Sequence, residues 1–258
     1  MTGPGKIPLL VNAPYHMIRG NMERLARLGI GVEVFFNNNI IDEVDPHEVK
    51  ELGRQFRERS VRCTVHAPFM DLSPGGFDKK IVAISRERIK KAVELAQHLG
   101  ALGAVCHPGF DKWRFQGSEQ LWLDTSIETW SEVLKEADKS FPIMLENIFE
   151  DEPATLVTLF GHFKDKNLWF CFDTGHFNLF SRVSVEEWLL PLADRLKEFH
   201  LHDNHGKSDE HLPIGTGTFP FRSLKQLIKQ MDNPIFVLEP HGESVLGESI
   251  QSAKEFLS

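Results

Sequence analysis

The chain has 258 residues, of which 41% are hydrophobic and 26% charged, and these proportions exclude a disordered or collagen-like protein. That length suits one large domain, which we expect to cover residues 1–258 with a core that needs no disulfides. A formal net charge of −8 argues against broad, nonspecific affinity for nucleic acid, although a metal-lined cleft can reverse the field that a phosphate meets locally.

The sequence predicts neither a targeting segment nor a membrane segment. The start, MTGPGKIPLL, lacks the apolar stretch of a signal peptide, and no later run reaches the ~18 apolar residues that a membrane helix needs. Cys63, Cys106 and Cys171 cannot all pair, so we interpret them as small core residues in a reduced compartment. We therefore expect a cytoplasmic protein with no membrane partner.

Short apolar or alternating runs recur along the chain, each followed by a stretch with helical periodicity. The predicted strands are Pro8–Asn12, Gly31–Phe35, Arg62–His66, Gly103–His107, Pro142–Glu146, Leu168–Asp173, Lys197–His202 and Pro234–Glu239. The predicted helices are Asn21–Leu28, Pro46–Glu58, Ser85–Leu99, Glu119–Ala137, Ala154–Phe163, Ser184–Leu192, Ser223–Met231 and Gly247–Leu257. Eight strand–helix repeats predict an α/β fold, a (β/α)8 TIM barrel.

The third predicted helix has clear end signals. Ser85 is expected to be its N-cap, and Gly100 is expected to follow its last residue. Trp122, Trp130 and Trp188 also lie in predicted helices, and we interpret them as packing residues.

Six consecutive predicted strands end in a side chain that can bind metal. One such His or Asp is more often a hydrogen-bonded cap, but the carboxyl ends of barrel strands converge on one mouth. Six ionisable groups crowded there are costly unless a cation compensates their charge. The sequence therefore predicts a metal site formed by His66, His107, Glu146, Asp173, His202 and Glu239.

The segments after the sixth and seventh strands add donors. His176 follows Asp173 by three residues, where we expect the strand to give way to a loop, and the seventh loop, Asp203–His211, is far richer in donors than a connector requires. His200 and His202 share one face of their strand, and we prefer His202 as the ligand because it lies nearer the rim. Because these positions contain no cysteine, they suit zinc, manganese or magnesium rather than a structural tetrathiolate zinc.

Two further residues are substrate-contact candidates. Glu33 is isolated in the apolar run Val-Glu-Val-Phe-Phe, which fits either a substrate contact or an internal ion pair. Trp113, after the fourth strand, could stack on a ligand.

These strand ends resemble those of the xylose-isomerase-like TIM barrels, the superfamily that joins sugar isomerases and epimerases to endonuclease IV-type DNA repair enzymes, AP endonuclease family 2. The resemblance extends over nearly the whole chain. It is carried by Val65–Phe69, His107–Gly109, Leu145–Asn147, Phe172–His176, His202–Asn204, Asp209–Gly217 and Leu238–Pro240.

The two branches imply different metal centres. In the epimerase branch a single divalent ion is held by the positions of Glu146, Asp173, His202 and Glu239, and the two glutamates are acid and base. In the endonuclease IV branch three zinc ions are held by nine positions, all of which have a matching residue type here: His66, His107, Glu146, Asp173, His176, His202, Asp209, His211 and Glu239. The implied cofactor is therefore one to three divalent ions, with zinc preferred and manganese, magnesium or cobalt as alternatives.

The loops favour a small substrate. The segment after His66, residues 67–72, resembles the small-molecule members, whereas the repair enzymes have a polar and aromatic segment there that enters the duplex. Asp209 and His211 stand where epimerases usually have an arginine, which argues against a typical ketose epimerisation. An idle barrel that only binds a partner would leave the donor set without a purpose.

The sequence therefore predicts a metal-dependent isomerase or epimerase that acts on a sugar or sugar phosphate. Glu146 and Glu239 would transfer the proton, and His176 and Lys207 would hold hydroxyls or a phosphate. The alternative is a trinuclear-zinc phosphodiesterase of abasic DNA, in which both glutamates bridge metals and nucleic acid is the partner.

Overall fold

The structure is a computed structural model that describes residues 9–164, 167–229, 231 and 233–258. Eight parallel strands pair in chain order and close into a barrel, because the eighth strand also pairs with the first. The predicted (β/α)8 barrel is confirmed. The strands are β1 (Leu9–Pro14), β2 (Gly31–Phe35), β3 (Cys63–His66), β4 (Ala104–Cys106), β5 (Ile143–Glu146), β6 (Leu168–Asp173), β7 (Leu196–Leu201) and β8 (Ile235–Leu238).

Helices surround the barrel, and each predicted helix overlaps one of them. Pro8 and Gln230, which belong to predicted elements, lie outside the described residues. In the described part of the chain, no helix combines the length and the apolar character needed to cross a membrane. The helices are α1 (Tyr15–Ile18), α2 (Met22–Leu28), α3 (Ile40–Glu43), α4 (Pro46–Glu58), α5 (Lys79–Leu99), α6 (Lys112–Phe115), α7 (Glu119–Glu136), α8 (Ala154–Gly161), α9 (Thr174–Phe180), α10 (Val185–Leu189), α11 (Phe221–Ile228) and α12 (Glu243–Leu257), with 3-10 turns at Arg19–Asn21 and Leu190–Arg195.

Helix α5 begins earlier than predicted, and Ser85 is not its N-cap. The Oδ1 atom of Asp78 accepts the backbone N–H of Lys80 at 2.8 Å, so Asp78 caps the helix. Ser85 is buried within the helix, where its hydroxyl accepts the N–H of Ser73 and donates to the carbonyl of Ile81. The predicted end is confirmed, since Gly100 adopts a left-handed conformation with φ 69° just after Leu99.

Replacing the cap should destabilise the protein modestly. We expect Asp78→Ala to lower the free energy of unfolding by about 1 kcal/mol, because backbone donors of the first turn lose their acceptor. Urea denaturation followed by circular dichroism measures this loss. Glu87→Ala, on the exposed face of α5, is the control and should stay within about 0.5 kcal/mol of the unchanged protein. Equal stability of the two variants would contradict the cap assignment.

Strand side chains point alternately outward and inward, which gives one core between the barrel and the helices and another inside the barrel. Outward-facing strand side chains pack against the helices, which contribute Trp122, Trp130 and Trp188 to this outer core. These three are at most 1% exposed, as expected for packing residues. Inside the barrel lie smaller apolar groups, one of which contains Val105, Met144 and Cys171. All three cysteines are buried and free, as predicted for core residues. Because successive side chains of a strand point to opposite faces, the inward positions lead to the residues at the mouth.

Candidate metal centre

The six predicted strand-end donors all lie at the mouth of the barrel. Three of them are the last residues of their strands, namely His66, Glu146 and Asp173. The other three directly follow β4, β7 and β8, namely His107, His202 and Glu239. With His176, Asp209 and His211 they form the mouth cluster, in which contacts of at most 3.7 Å connect all nine side chains.

Glu146 is the most heavily contacted carboxylate of the mouth cluster. Its Oε2 lies 3.1 Å from His66 Nε2 and 3.2 Å from His107 Nε2, and its Oε1 lies 3.0 Å from His176 Nδ1. Burial alone would raise the pKa of Glu146, but the neighbouring histidines, His200 first, hold it well below its usual value. The side chain is therefore a carboxylate at neutral pH.

Two histidines beside Glu146 have opposite pKa shifts. Burial lowers the pKa of His107 to about 4, because the charged ring loses its hydration. Burial also opposes the charged form of His66, but its hydrogen bond and charge interaction with Glu146 raise the pKa to about 9. One carboxylate thus has both a neutral and a charged imidazole against it.

The other side of the mouth is organised around two aspartates. His202 Nε2 lies 2.9 Å from Asp173 Oδ2, and His211 Nε2 lies 3.0 Å from Asp209 Oδ2. The rings of His202 and His211 stack with their centroids 4.1 Å apart. Asp209 also reaches His176 Nε2 at 3.6 Å, which joins the two sides of the mouth.

The ring nitrogens of three histidines are oriented by main-chain carbonyls. The Nδ1 atoms of His66, His176 and His211 lie 2.8, 3.1 and 2.7 Å from the carbonyl oxygens of Ala67, Asn147 and Glu239. A carbonyl oxygen can only accept a hydrogen bond, so each Nδ1 donates one. In the neutral form of such a ring, Nε2 carries a lone pair, and in all three histidines Nε2 faces a carboxylate. A lone pair that faces a carboxylate needs a proton or a cation between them, and this tautomer is typical of metal-binding histidines. The residues therefore fit a divalent metal.

Trios from the mouth cluster also have suitable spacing for a metal ion. In His66, His107 and Glu146, one donor atom of each lies within 4.8 Å of the others. The same holds for His202, Asp209 and His211.

The segment after β6 is a helix, so the predicted loop there is wrong. Oδ1 of Asp173 accepts the N–H of His176 at 2.6 Å and caps α9, which begins at Thr174. The Thr174 hydroxyl donates to the carbonyl of His202 at 2.7 Å and accepts its N–H at 3.1 Å. The helix and these bonds fix the positions of Asp173, His176 and His202 relative to one another.

Below the mouth cluster lies the lower layer, which consists of Glu33, Thr64, Cys171, Glu198 and His200. Strand parity is confirmed, because His200 and His202 both face inward and His200 is one layer deeper. Glu33 is fully buried and has the contacts of an internal ion pair: Asn12 donates to its Oε1 at 2.9 Å, and His200 Nε2 lies 3.4 Å from the same oxygen.

The two carboxyl groups of the lower layer, Glu33 and Glu198, have pKa values shifted in opposite directions. Burial alone would raise the pKa of Glu33, but the charge of the adjacent His200 outweighs it and lowers the pKa to about 2. Burial and the neighbouring Glu33 charge raise the pKa of Glu198 to about 8. Sequence reasoning missed Glu198 as a site residue and passed over His200. His200 lies two and Glu198 four residues before His202, so all three share one face of the strand, and this spacing was the signal that could have found them.

A cavity of about 970 Å³ opens over the mouth cluster. Among the described residues that line it, Arg114 is the only lysine or arginine. Three predicted substrate contacts do not line the cavity, namely Glu33, Trp113 and Lys207. Trp113 is 75% exposed and Lys207 is also exposed, whereas Glu33 is buried in the lower layer. Much of the wall is apolar and aromatic, with contributions from Phe35, Phe69, Met70, Phe149 and Phe180.

The fold and the site together define a (β/α)8 barrel with a donor-rich mouth. Residues 22–257 match the family model described as xylose isomerase-like TIM barrel, and the chain belongs to that family. The uncharacterized protein MJ1311 of Methanocaldococcus jannaschii is 32% identical over 199 residues, which cover 73% of this chain and 67% of that protein. The probable endonuclease 4 of Symbiobacterium thermophilum is 28% identical over 232 residues, which cover 81% of this chain and 82% of that protein.

Two solved structures are similar over nearly their whole length. The TTHB071 protein from Thermus thermophilus, soaked with ZnCl2, is 26% identical with a TM-score of 0.80, and the match covers 96% of this chain and 98% of that one. A D-tagatose 3-epimerase-like protein is 25% identical with a TM-score of 0.81, and the match covers 97% of each chain. Epimerase and endonuclease names thus both occur among the similar proteins.

Proposed function

We propose that this chain is a divalent-metal-dependent isomerase or epimerase of a sugar or sugar phosphate, with Glu146 and Glu239 as acid and base. One observation carries the proposal: the two carboxylates face each other across a single buried nitrogen at the floor of the cavity. Glu239 Oε1 lies 3.2 Å and Glu146 Oε2 lies 3.6 Å from Nδ1 of His200. Two carboxylates held close together from non-adjacent strands can remove and return a proton on one small substrate.

The metal would be held by the mouth cluster, within which Glu146, Asp173, His202 and Glu239 suffice for a single ion. Imidazole and carboxylate donors suit zinc first, with manganese, magnesium or cobalt as alternatives. A bound divalent cation supplies Lewis acidity to the carbonyl and hydroxyl oxygens of a sugar.

The side chains of this chain would then move the proton. Glu146, kept ionised by its histidine neighbours, takes the proton from the carbon beside the carbonyl. Glu239 delivers a proton to the other face of that carbon in an epimerisation. His176, which lines the cavity, holds a hydroxyl or a phosphate. Trp113 and Lys207 lie outside the wall, and the proposal does not depend on them.

The cavity supports a small substrate rather than a DNA duplex. Duplex binding depends on lysine and arginine contacts to several phosphates, whereas Arg114 alone supplies such a charge among the described lining residues. The formal net charge of −8 points the same way. The aromatic wall suits the apolar face of a sugar ring or an apolar substituent on it.

Phosphodiester hydrolysis is the second candidate, and the size of the mouth cluster favours it. Nine donors are more than one ion needs, and the probable endonuclease 4 of Symbiobacterium thermophilum is among the relatives. In that reaction Glu146 and Glu239 would bridge metal ions instead of carrying protons.

Solvent exchange distinguishes the two candidates. We expect zinc-loaded protein to exchange a carbon-bound hydrogen of at least one ketose or ketose phosphate from a panel in D2O, read by proton NMR. We also expect an abasic-site duplex to stay intact at high protein concentration. Cleavage of the duplex without any exchange would replace the epimerase proposal with the phosphodiesterase.

Metal analysis gives an independent test of the mouth cluster. We expect protein purified without chelator to contain divalent metal. About one ion at the mouth supports the sugar reaction, and about three support phosphoester hydrolysis. Metal-free protein that takes up neither zinc nor manganese would contradict both candidates.

A further inference from the structure

We propose that the barrel interior holds a further cation site below the mouth, formed by Cys171, Glu198 and His200 of the lower layer. One donor atom from each of the three lies within 4.8 Å of the other two, and all three residues are fully buried. The site includes a sulfur donor, which the mouth cluster lacks. The inference goes beyond the proposed function and holds with either reaction at the mouth.

Unpartnered atoms point into this site. Nε2 of His200 and Oε2 of Glu198 have no hydrogen-bond partner among the described residues, although no solvent reaches them. Nδ1 of His200 also has none, but it faces Glu239 and Glu146 at the mouth rather than this site. Buried polar atoms in folded proteins almost always have a partner, so these two atoms without one indicate a missing ligand. Val105, an apolar neighbour on the inner face, offers no side-chain donor or acceptor.

The spacing suits a tetrahedral ion. His200 Nε2 lies 3.5 Å from Glu198 Oε1 and 3.4 Å from Glu33 Oε1. Donors bound tetrahedrally to zinc are roughly 3–4 Å apart, as follows from metal–ligand bonds of about 2.0–2.3 Å. Glu33 therefore supplies a further carboxylate oxygen close to Nε2 of His200.

Outer contacts hold these carboxylates in place. The Thr64 hydroxyl lies 3.2 Å from Glu33 Oε2 and 3.4 Å from Glu198 Oε1, so it can donate to either. Asn12 donates to the other oxygen of Glu33. Such hydrogen bonds to ligating carboxylates are the usual support of a metal site.

Charge and donor type favour zinc or cobalt. Two carboxyl groups meet in a layer without solvent, and a bound divalent cation would stabilise the ionised form of both. Thiolate, imidazole and carboxylate together suit zinc and cobalt better than magnesium or calcium. On binding, the Cys171 thiol releases its proton to solvent and its sulfur becomes the ligand. Because the layer is sealed, we expect the ion to enter during folding.

Cobalt substitution tests the site by absorption. A thiolate bound to Co²⁺ gives a near-ultraviolet charge-transfer band, which imidazole and carboxylate ligands do not give. Protein produced in cobalt-enriched minimal medium should show this band. Cys171→Ser should lose the band and about one cobalt per chain. Cys106→Ser is the matched control and should keep both, because Cys106 is equally buried but packs between the barrel and the helices.

Glu198→Gln is a second variant that keeps the thiol and nearly the same volume. It should weaken or shift the band, because one carboxylate ligand becomes an amide. The proposal is overturned if cobalt-loaded protein has no charge-transfer band, or if the band persists in Cys171→Ser. Visible cobalt bands from the mouth cluster together with turnover, but without the thiolate band, would overturn this inference alone and leave the proposed function intact.

Discussion

Replacing Glu146 with glutamine is expected to lower kcat by about two to four orders of magnitude while the barrel still folds. Glutamine keeps the volume of the side chain but can neither accept the substrate proton nor balance the charge of His66. Glu239→Gln should have an effect of the same order, because the proposed epimerisation needs both an acid and a base. The measurement is the initial rate of hydrogen exchange in D2O, with circular dichroism as the check on folding.

Glu152→Gln is the control for this pair of variants. Glu152 lies in the loop that follows Glu146 and β5, but it is exposed and does not line the cavity, so its variant should keep full activity. Full activity in both Glu146→Gln and Glu239→Gln would remove the two glutamates from the mechanism. A large loss in Glu152→Gln would mean that the loop, rather than the acid and base, limits the rate.

The mouth cluster was predictable because two simple regularities set it. Successive strand residues point to opposite faces, and parallel strands bring their carboxyl ends to one rim, so donors at the ends of the strands must meet. His66, Glu146 and Asp173 are the last residues of their strands, and their positions follow directly. Asp209 and His211 lie in a loop, and neither regularity fixes a loop; the family resemblance supplied them.

Some features could not be predicted from the sequence, because a local sequence signal was outweighed by contacts with other parts of the chain. Thr174 and Gly175 are weak helix formers, yet α9 starts there because Asp173 caps it. Both Asp78 and Ser85 have the chemistry of an N-cap, and only tertiary packing shows that the Ser85 hydroxyl is occupied by Ser73. Alternation along β7 places His200 below His202, but it does not reveal that Glu33 and Glu239, from other parts of the chain, lie against the His200 ring.

The cavity wall was not predictable from the residues alone. Phe149 and Phe180 reach the cavity from the loop after β5 and from the end of α9, and their rings contact each other with centroids 5.1 Å apart. Trp113 had the better sequence argument for stacking, because it follows a strand end, but the capped turn of α6 leaves it in solvent. Loop paths follow contacts between distant segments, so periodicity carries no information about them.

Gly175→Ala is expected to disrupt the proposed metal centre without changing any charge. A Cβ atom on Gly175 would lie 2.0 Å from Cε1 and 2.4 Å from Nδ1 of the His202 ring, far inside van der Waals contact. The ring is buried, and the backbone of His202 is bonded to the Thr174 hydroxyl, so the ring must turn away from Asp173. Displacing an oriented ligand typically costs about 10–100-fold in metal affinity, and we expect turnover to fall with it.

Competition with a chromophoric zinc chelator measures the affinity of the Gly175→Ala variant directly. Gly161→Ala is the matched control, because a Cβ atom there meets nothing within 4 Å and Gly161 is also a helical glycine. It should bind zinc normally and gain up to about 1 kcal/mol in unfolding free energy, because alanine has fewer conformations to lose on folding. Unchanged zinc affinity in Gly175→Ala would show that His202 is not a ligand, because its ring cannot keep its place beside an added methyl group.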